Sequence, residues 1–397
     1  MIINTSTSYG TVAKTFHWLT ALLIFTMIPL GIIAQNAPFD TNEALARKAL
    51  LFSTHKTLGI VTLAVALARI LWAIAQAKPG AIHPTRRAET FLAALVHWLL
   101  YGSLVLVPLT GWISHAATEG FAPIWLPVGQ NLPFVPESER VAEVAAALHI
   151  IFERVLVASV LLHVAGAIKH VIIDRDGTLA RMWFGDRNAG DGQPHPSSLT
   201  APILAVAIWT GAIGIGAGLG LFARQTEAAT GPALVDVSSD WAVTDGSLGI
   251  SVVQLGSDVG GAFADWTAAI TFDPETGAGS VDVTVAIGSL TLGSVTGQAL
   301  GPDFLDASTF PTATFAARIT PDGDAFVAEG PLTIRGIEIP VRLPFTLSLA
   351  GDVATVSGSL EVDRRDFEVG LTMQEGNLGY PVSVEVSLTA ERGAKTE

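Results

Sequence analysis

Cysteine is missing from all 397 residues. Its absence excludes disulfides, iron–sulfur clusters and the thioether attachment of a haem, so any haem here is held without a covalent link. Positive charge is scarce as well: 22 Lys and Arg stand against 36 Asp and Glu, a formal net charge of −14. With no basic patch to offset this, nothing in the chain attracts nucleic acid. The opening MIINTSTSYGTVAKTFHW lacks a short apolar core with a small-residue cleavage site, so the first apolar run is expected to stay as a membrane span.

Apolar residues, in contrast, make up half the chain, and the mean hydropathy is +0.49. The charge is split unevenly. Residues 1–233 hold 15 Lys and Arg with 13 Asp and Glu, whereas residues 234–397 hold 7 and 23. A near-neutral membrane part therefore precedes an acidic soluble part. Four long apolar runs fill the first part, at about 16–34, 55–75, 91–116 and 144–173, and a fifth at 201–222 follows the polar linker DRNAGDGQPHPSS. Each is long enough to cross a bilayer as a helix. The fifth has no His and is rich in Gly, which predicts an anchor and tether. Lys14, Lys78, Arg86, Arg87, Lys169, Arg175, Arg181 and Arg187 would share one side, which the positive-inside rule makes cytoplasmic. Five crossings then put the carboxy-terminal part outside, in the periplasm of a bacterium.

Seven of the nine histidines fall in or at the ends of the first four runs, His115 at the very end of the third. His149 and His163 are 14 residues apart, nearly four helical turns, so both leave one helix face about 21 Å apart along the axis. Imidazoles buried in lipid at two depths predict two ligated groups. Depth sorts the rest: His55, at the start of run two, joins His149 in an outer group, and His17, His97 and His170 join His163 in an inner one. A b-type haem takes two facing imidazoles from separate helices. The outer group supplies one pair, His55 with His149. The inner group offers more candidates than sites; His17 with His163 is the choice, because His163 shares the face of His149 and His17 leads into a true span. His97 and His170 are then either structural or line a cytoplasmic-side quinone pocket. Arg69, 14 residues after His55, and Lys169 reach the inner level, where they would meet a propionate or quinone or snorkel to headgroups. Arg154 is a candidate for the outer propionates. His83, His115 and His195 are expected to be solvated. Gly31, Gly59, Gly111 and Gly166 would admit haem edges or neighbouring helices.

From about residue 234 the pattern becomes period two: SVDVTVAI, ATFAARI, VRLPFTLSL, ATVSGSLEV and VSVEVSLTA alternate apolar and polar residues between Gly, Asp and Pro. About eight such strands predict an antiparallel barrel or sandwich, with room for a ligand cavity.

The stretches FHWLTALLIF, HKTLGIVTLAVALARILW, HWLLYGSLVLVPLTGWI and LHIIFERVLVASVLLHVAGAIKHVIIDRDGTLARM occur in the order of the four helices of the bacterial cytochrome b561 family, which residues 9–184 resemble. The resemblance implies a di-haem membrane protein exchanging electrons with ubiquinone, some relatives taking them from superoxide; it implies His17, His55, His149 and His163 as axial ligands, with His97 and His170 near the quinone. Residues 235–391, through ITFDPETGAGSVDVTVAIGSL, DFLDASTFPTATF, GPLTIRGIEIPVRLPF and SLEVDRRDFEVG, resemble YceI-like proteins, lipocalin-like barrels that bind polyisoprenoids. Members commonly carry His in the second strand, where this chain has Gln254. Phe263, Trp266, Phe304, Phe310, Phe315, Phe345 and Phe367 are candidates for the interior.

The fold expected is thus a multidomain membrane protein: an all-α four-helix di-haem bundle (1–190), a linker with a fifth tethering helix (191–233), and an all-β antiparallel lipocalin-like barrel (234–397). The function expected is electron transfer across the inner membrane between a periplasmic donor, superoxide among the candidates, and ubiquinone, with the tethered barrel binding an isoprenoid quinone or lipid. Two alternatives stand beside it: a lipid-binding or sensing protein with the bundle as anchor, and the haem b subunit of a larger dehydrogenase or hydrogenase. A homo-oligomer is open in each case.

Overall fold

Leucine, isoleucine, valine and alanine dominate the apolar runs, and lipid leaves their backbone no partner but itself, so they close as helices. A computed structural model describes all residues except 40, 119–121, 186–198, 224–233, 235, 236, 238, 294, 324 and 394–397, and the side chain of 139. The linker with His195 and Arg187 lies outside the described residues. The chain divides into two units: Met1–Ala37, Lys48–Thr118 and Pro123–Arg224 form one, and Pro38–Arg47, Glu119–Ala122 and Gln225–Glu397 the other.

The helical unit contains α1 (Thr11–Asn36), α2 (Asn42–Ile74), α3 (Arg87–Ala116), α4 (Glu139–Lys169), the short α5 (Thr178–Met182) and α6 (Thr200–Gly218). All but α5 are long and apolar enough to cross a membrane. Helix α2 begins 13 residues before His55, so that histidine stands well inside the helix instead of opening it. The reason is local: Glu, Ala, Leu, Arg and Lys in NEALARKALL are strong helix formers that a hydropathy window discounts. Helix α4 passes at its end into a π-helical turn, His170–Asp174, which Arg175 closes at φ 52°. The wider turn shifts the phase of the residues that follow His170.

The bundle core is small. Ile24, Ala66 and Leu104 are buried, with Ile28 and Val160 against them, which draws in all four of the first long helices. The fifth long helix is more than a tether. Ala201 and Ala205 of α6 pack into Leu95 and Leu99 of α3, and Trp209 Nε1 donates to Ser103 Oγ at 3.3 Å. The small residues let the backbones approach, the usual device where lipid supplies no hydrophobic drive. Outward, Leu22, Phe25, Leu71, Ile74, Leu161 and Ile203 are exposed, as lipid-facing positions should be.

In the second unit the period-two stretches form ten antiparallel strands: β1 (Trp241–Gln254), β2 (Ser257–Phe263), β3 (Trp266–Asp273), β4 (Ala278–Ala286), β5 (Leu290–Thr291), β6 (Thr312–Asp322), β7 (Ala325–Ile334), β8 (Ile337–Ala350), β9 (Val353–Asp363) and β10 (Leu378–Arg392). They make one curled sheet in the order β3-β4-β6-β7-β8-β9-β10-β1-β2-β5. Ten is more than the eight or so expected, and one of the extra strands, β5, has two residues, too few to show alternation. Trp241 Nε1 donates to Phe272 O at 3.1 Å and Asp240 N to Ile270 O at 3.1 Å, bringing the start of β1 against β3. The concave core consists of Trp241, Phe272, Ile319, Phe345 and Leu388, with Trp266 and Phe315 packed on it.

Candidate functional site

Each imidazole of interest is held by a different long helix, and α4 holds two. His149 of α4 faces His55 of α2 with ring centroids 6.4 Å apart, and His163 of α4 faces His17 of α1 at 6.1 Å. His97 of α3 also packs edge-on against His163, at 5.2 Å, and is exposed at the protein surface. Two metal–imidazole bonds of about 2 Å each, plus the ring radii, separate centroids by roughly 6 Å. The pairs 55/149 and 17/163 have that spacing; His97 with His163 is too close for it.

The atoms around the rings fit a metal as well. His149 Nδ1 lies 2.8 Å from Val107 O. A carbonyl only accepts, so Nδ1 carries the proton and Nε2 keeps its lone pair, the orientation ligating histidines take. His97 Nδ1 is fixed likewise on Ala93 O at 2.6 Å. His55 Nδ1 is buried with no well-formed hydrogen bond among the described residues, a cost that ligation or a further contact would offset. Two glycines make room for the outer rings: a Cβ on Gly31 would stand 2.9 Å from His55 Cε1, and one on Gly111 2.9 Å from His149 Nδ1. Gly59 meets only Met27 at 3.7 Å and Gly166 nothing within 4 Å.

Arg69 reaches the inner pair, Nη2 lying 3.5 Å from His17 Nδ1 and the guanidinium 5.2 Å from the Tyr101 ring centre. Lys169 and His170 belong to a separate ionic cluster. Lys169 Nζ pairs with Asp174 at 2.8 Å and Glu89 at 3.0 Å; His170 Nδ1 and His83 Nε2 both reach Asp176 Oδ2, at 2.8 and 2.9 Å. Burial works against the charge on Asp176, but hydrogen bonds from Thr178, His170 and His83 outweigh it and hold the carboxyl well below the usual range. His83, expected to be solvated, is stacked on His170 at 6.4 Å, and His115 is half-buried. The Arg154 side chain is 73% exposed and pairs with its neighbour Glu153, at 3.5 Å.

In the β-rich unit a cavity of about 110 Å³ is lined by Ile250, Val252, Gln254, Leu292, Phe304 and Leu378 among others. Alternation along β1 points 250, 252 and 254 the same way. Gln254 is 5% exposed and its Oε1 has no donor among the described residues. Beside it Arg364 is spent on the carbonyls of Val369, Gly370, Met373, Leu378 and Gly379, which pins the 364–378 segment to the sheet. Of the seven aromatic residues expected inside, Phe304 lines the cavity, whereas Phe345 and Phe367 are buried by packing.

The model of prokaryotic cytochrome b561 matches residues 8–185. The chain is 30% identical over 182 residues to cytochrome b561 homolog 2 of Escherichia coli (strain K12), covering 93% of that protein and 45% of its own length. The chain belongs to the cytochrome b561 family. Homolog 1 of the same organism is 25% identical over 167 residues, covering 91% of that protein. The cytochrome b561 part is therefore a multi-pass membrane protein of haem b electron transfer. A YceI-like domain, an isoprenoid- or lipid-binding family, matches residues 241–391. Among solved structures, Burkholderia cenocepacia BcnA is 30% identical over 36% of this chain and 95% of that one, with a TM-score of 0.35. A Campylobacter jejuni YceI protein is 22% identical over 34% of this chain and 85% of that one, at 0.31.

Signals for His17, His55, His149 and His163 are in the sequence. Those for His83, Asp176, Arg181 and Arg364 are weaker, because each acquires its setting from a loop or turn that periodicity does not describe.

Proposed function

We propose that the cytochrome b561 part binds two b-type haems, the outer between His55 and His149 and the inner between His17 and His163, and passes electrons between a donor outside and ubiquinone. The observation that carries this is the pair of imidazole couples, 6.4 and 6.1 Å between centroids, set at two levels of α4. Haem supplies one-electron chemistry when bound. The chain's own part is to grip and orient. His149 keeps its proton on Nδ1 through Val107, leaving Nε2 for the metal. Two imidazoles per site leave no open position, which favours electron transfer over oxygen chemistry.

On the inner side, His97, exposed with its Nε2 unspent, and Arg69 beside His17 would meet a quinone headgroup. His170, tied to Asp176, can hold a proton at Nδ1 close to Lys169. Superoxide is one candidate donor. The reading is of a bacterial inner-membrane protein with its amino terminus in the cytoplasm and the YceI-like domain in the periplasm, an orientation that the positive-inside pattern supports. The division is 1–190 for the haem domain, 191–233 for the linker and fifth helix, and 234–397 for the barrel. The barrel's ligand is read as an isoprenoid quinone or a related lipid.

Single His→Ala changes at 17, 55, 149 and 163, scored by haem content and visible spectrum, test the proposal. Each should lose one haem, 55 matching 149 and 17 matching 163. A purified wild-type chain without a Soret band, or one that keeps both haems when 149 and 163 are both Ala, would overturn it.

A further inference from the structure

Arg181 of α5 is 6% exposed, yet its guanidinium is only partly used. Nη1 donates to Gly80 O at 2.9 Å, and the Tyr9 ring centre lies 5.6 Å from Cζ. Nε and Nη2 are sealed from solvent and have no acceptor among the described residues. Those two atoms form one side of the fork, the side that takes a carboxylate through two parallel hydrogen bonds. A guanidinium cannot shed its proton to relieve burial, so a bare buried edge calls for an anion.

The surroundings say which anion. The residues after Arg181 lie along α1 around His17: Trp18 Nε1 donates to Met182 O at 2.9 Å, Lys14 Nζ to Gly185 O at 2.7 Å, and the rings of Trp18 and Trp183 meet edge-on at 5.5 Å. Half-buried Tyr9 links the two guanidiniums of this region: burial raises its phenol, against the charges of Arg181 and Arg69. Arg69 is itself the residue beside His17 Nδ1. Among the described residues no carboxylate pairs with Arg69 or Arg181. Arg69 thus stands beside His17 of the inner pair, Arg181 lies next in line across Tyr9, and among the described residues neither guanidinium has an acid of the chain to meet it.

We propose that the Nε–Nη2 edge of Arg181 holds a propionate carboxylate of the inner haem, with Arg69 as a second cation at the same rim. The assignment rests on the two-haem reading. Removing this positive charge should make the inner haem harder to reduce and easier to lose, and leave the outer haem as an internal reference.

The test uses the full chain in lipid nanodiscs. Potentiometric titration of Arg181→Gln should show the inner midpoint potential moved negative with the outer one unchanged; Arg181→Lys, which keeps the charge but not the fork, should move it less. Reloading haem-depleted protein with haem or with its dimethyl ester supplies a second readout. Wild type should retain haem at the inner site about tenfold better than the ester, the worth of one charge-assisted contact, and Arg181→Gln should not distinguish them. An unmoved inner potential in both variants, equal loss of both haems, or a wild type indifferent to esterification overturns the proposal while the two-haem reading stands. A wild type that binds no haem overturns both.

Discussion

At the scale of single residues, the structure separates atoms that have partners from atoms that lack them. Among the described residues, Gln254 Oε1 and His55 Nδ1 are both buried without a well-formed hydrogen bond. For Gln254 the cost is borne by the barrel's stability: Gln254→Leu should stabilise the ligand-free protein by about 1–2 kcal/mol, since an orphaned buried polar group costs about that much. Chemical denaturation of the wild type and variant, followed by barrel tryptophan fluorescence, measures it; a loss of stability would mean that the amide has a structural partner. Gly111 is the converse case, where the missing side chain matters. Gly111→Val places carbon where His149 Nδ1 now stands, 2.9 Å from the ideal Cβ, and should abolish the outer haem's absorbance while sparing the inner one. If both haems survive with unchanged spectra, the glycine is not what seats the ring. The sequence shows Gln254 as a departure from the family's His, and Gly111 as a small residue. Neither orphaned atom nor ring clearance is visible there, because both depend on what three other strands or helices bring close.

At the scale of elements, α4 was the most legible: a 14-residue spacing of histidines on an apolar stretch already implies one face and two depths. Its end was not. The π turn at His170–Asp174 and the left-handed Arg175 redirect the chain so that Asp176 meets His83, 93 positions earlier. No local pattern encodes a contact of that range. Asp176 makes the region sensitive to acid. Its folded-state pKa is depressed, so its contribution is present above the unfolded value of about 3.9 and is lost as pH falls below it. Hydrogen exchange of residues 170–183 should therefore speed up below about pH 4, and Asp176→Asn should show the faster exchange already at neutral pH. A variant as protected as the wild type at both pH values would contradict the assignment. The same limit explains α2 and α6. Hydropathy marks where lipid is, so it overlooks the charged first turns of α2 and cannot tell a tether from a helix that inserts Trp209 beside Ser103.

At the scale of the whole molecule, the change from period 3.6 to period two agrees with long helices followed by strands, and the described strands bear out an antiparallel lipocalin-like sheet. The two-residue β5 was hidden, since a strand that short carries no repeat. Both halves rely on the same economy. A backbone fully paired with itself carries a few polar side chains that are not, and those are where a small molecule would complete the structure.

Having two imidazoles on one uninterrupted rod also restricts how this protein can change. One residue inserted between 149 and 163 would swing one ring by about 100° away from its mate, and only a gain or loss close to whole turns would preserve alignment. Even seven extra residues, which nearly restore the phase, would push the two levels about 10.5 Å further apart. The stretch between those rings thus works as a gauge block of fixed length, and its substitutions should be far freer than its insertions or deletions.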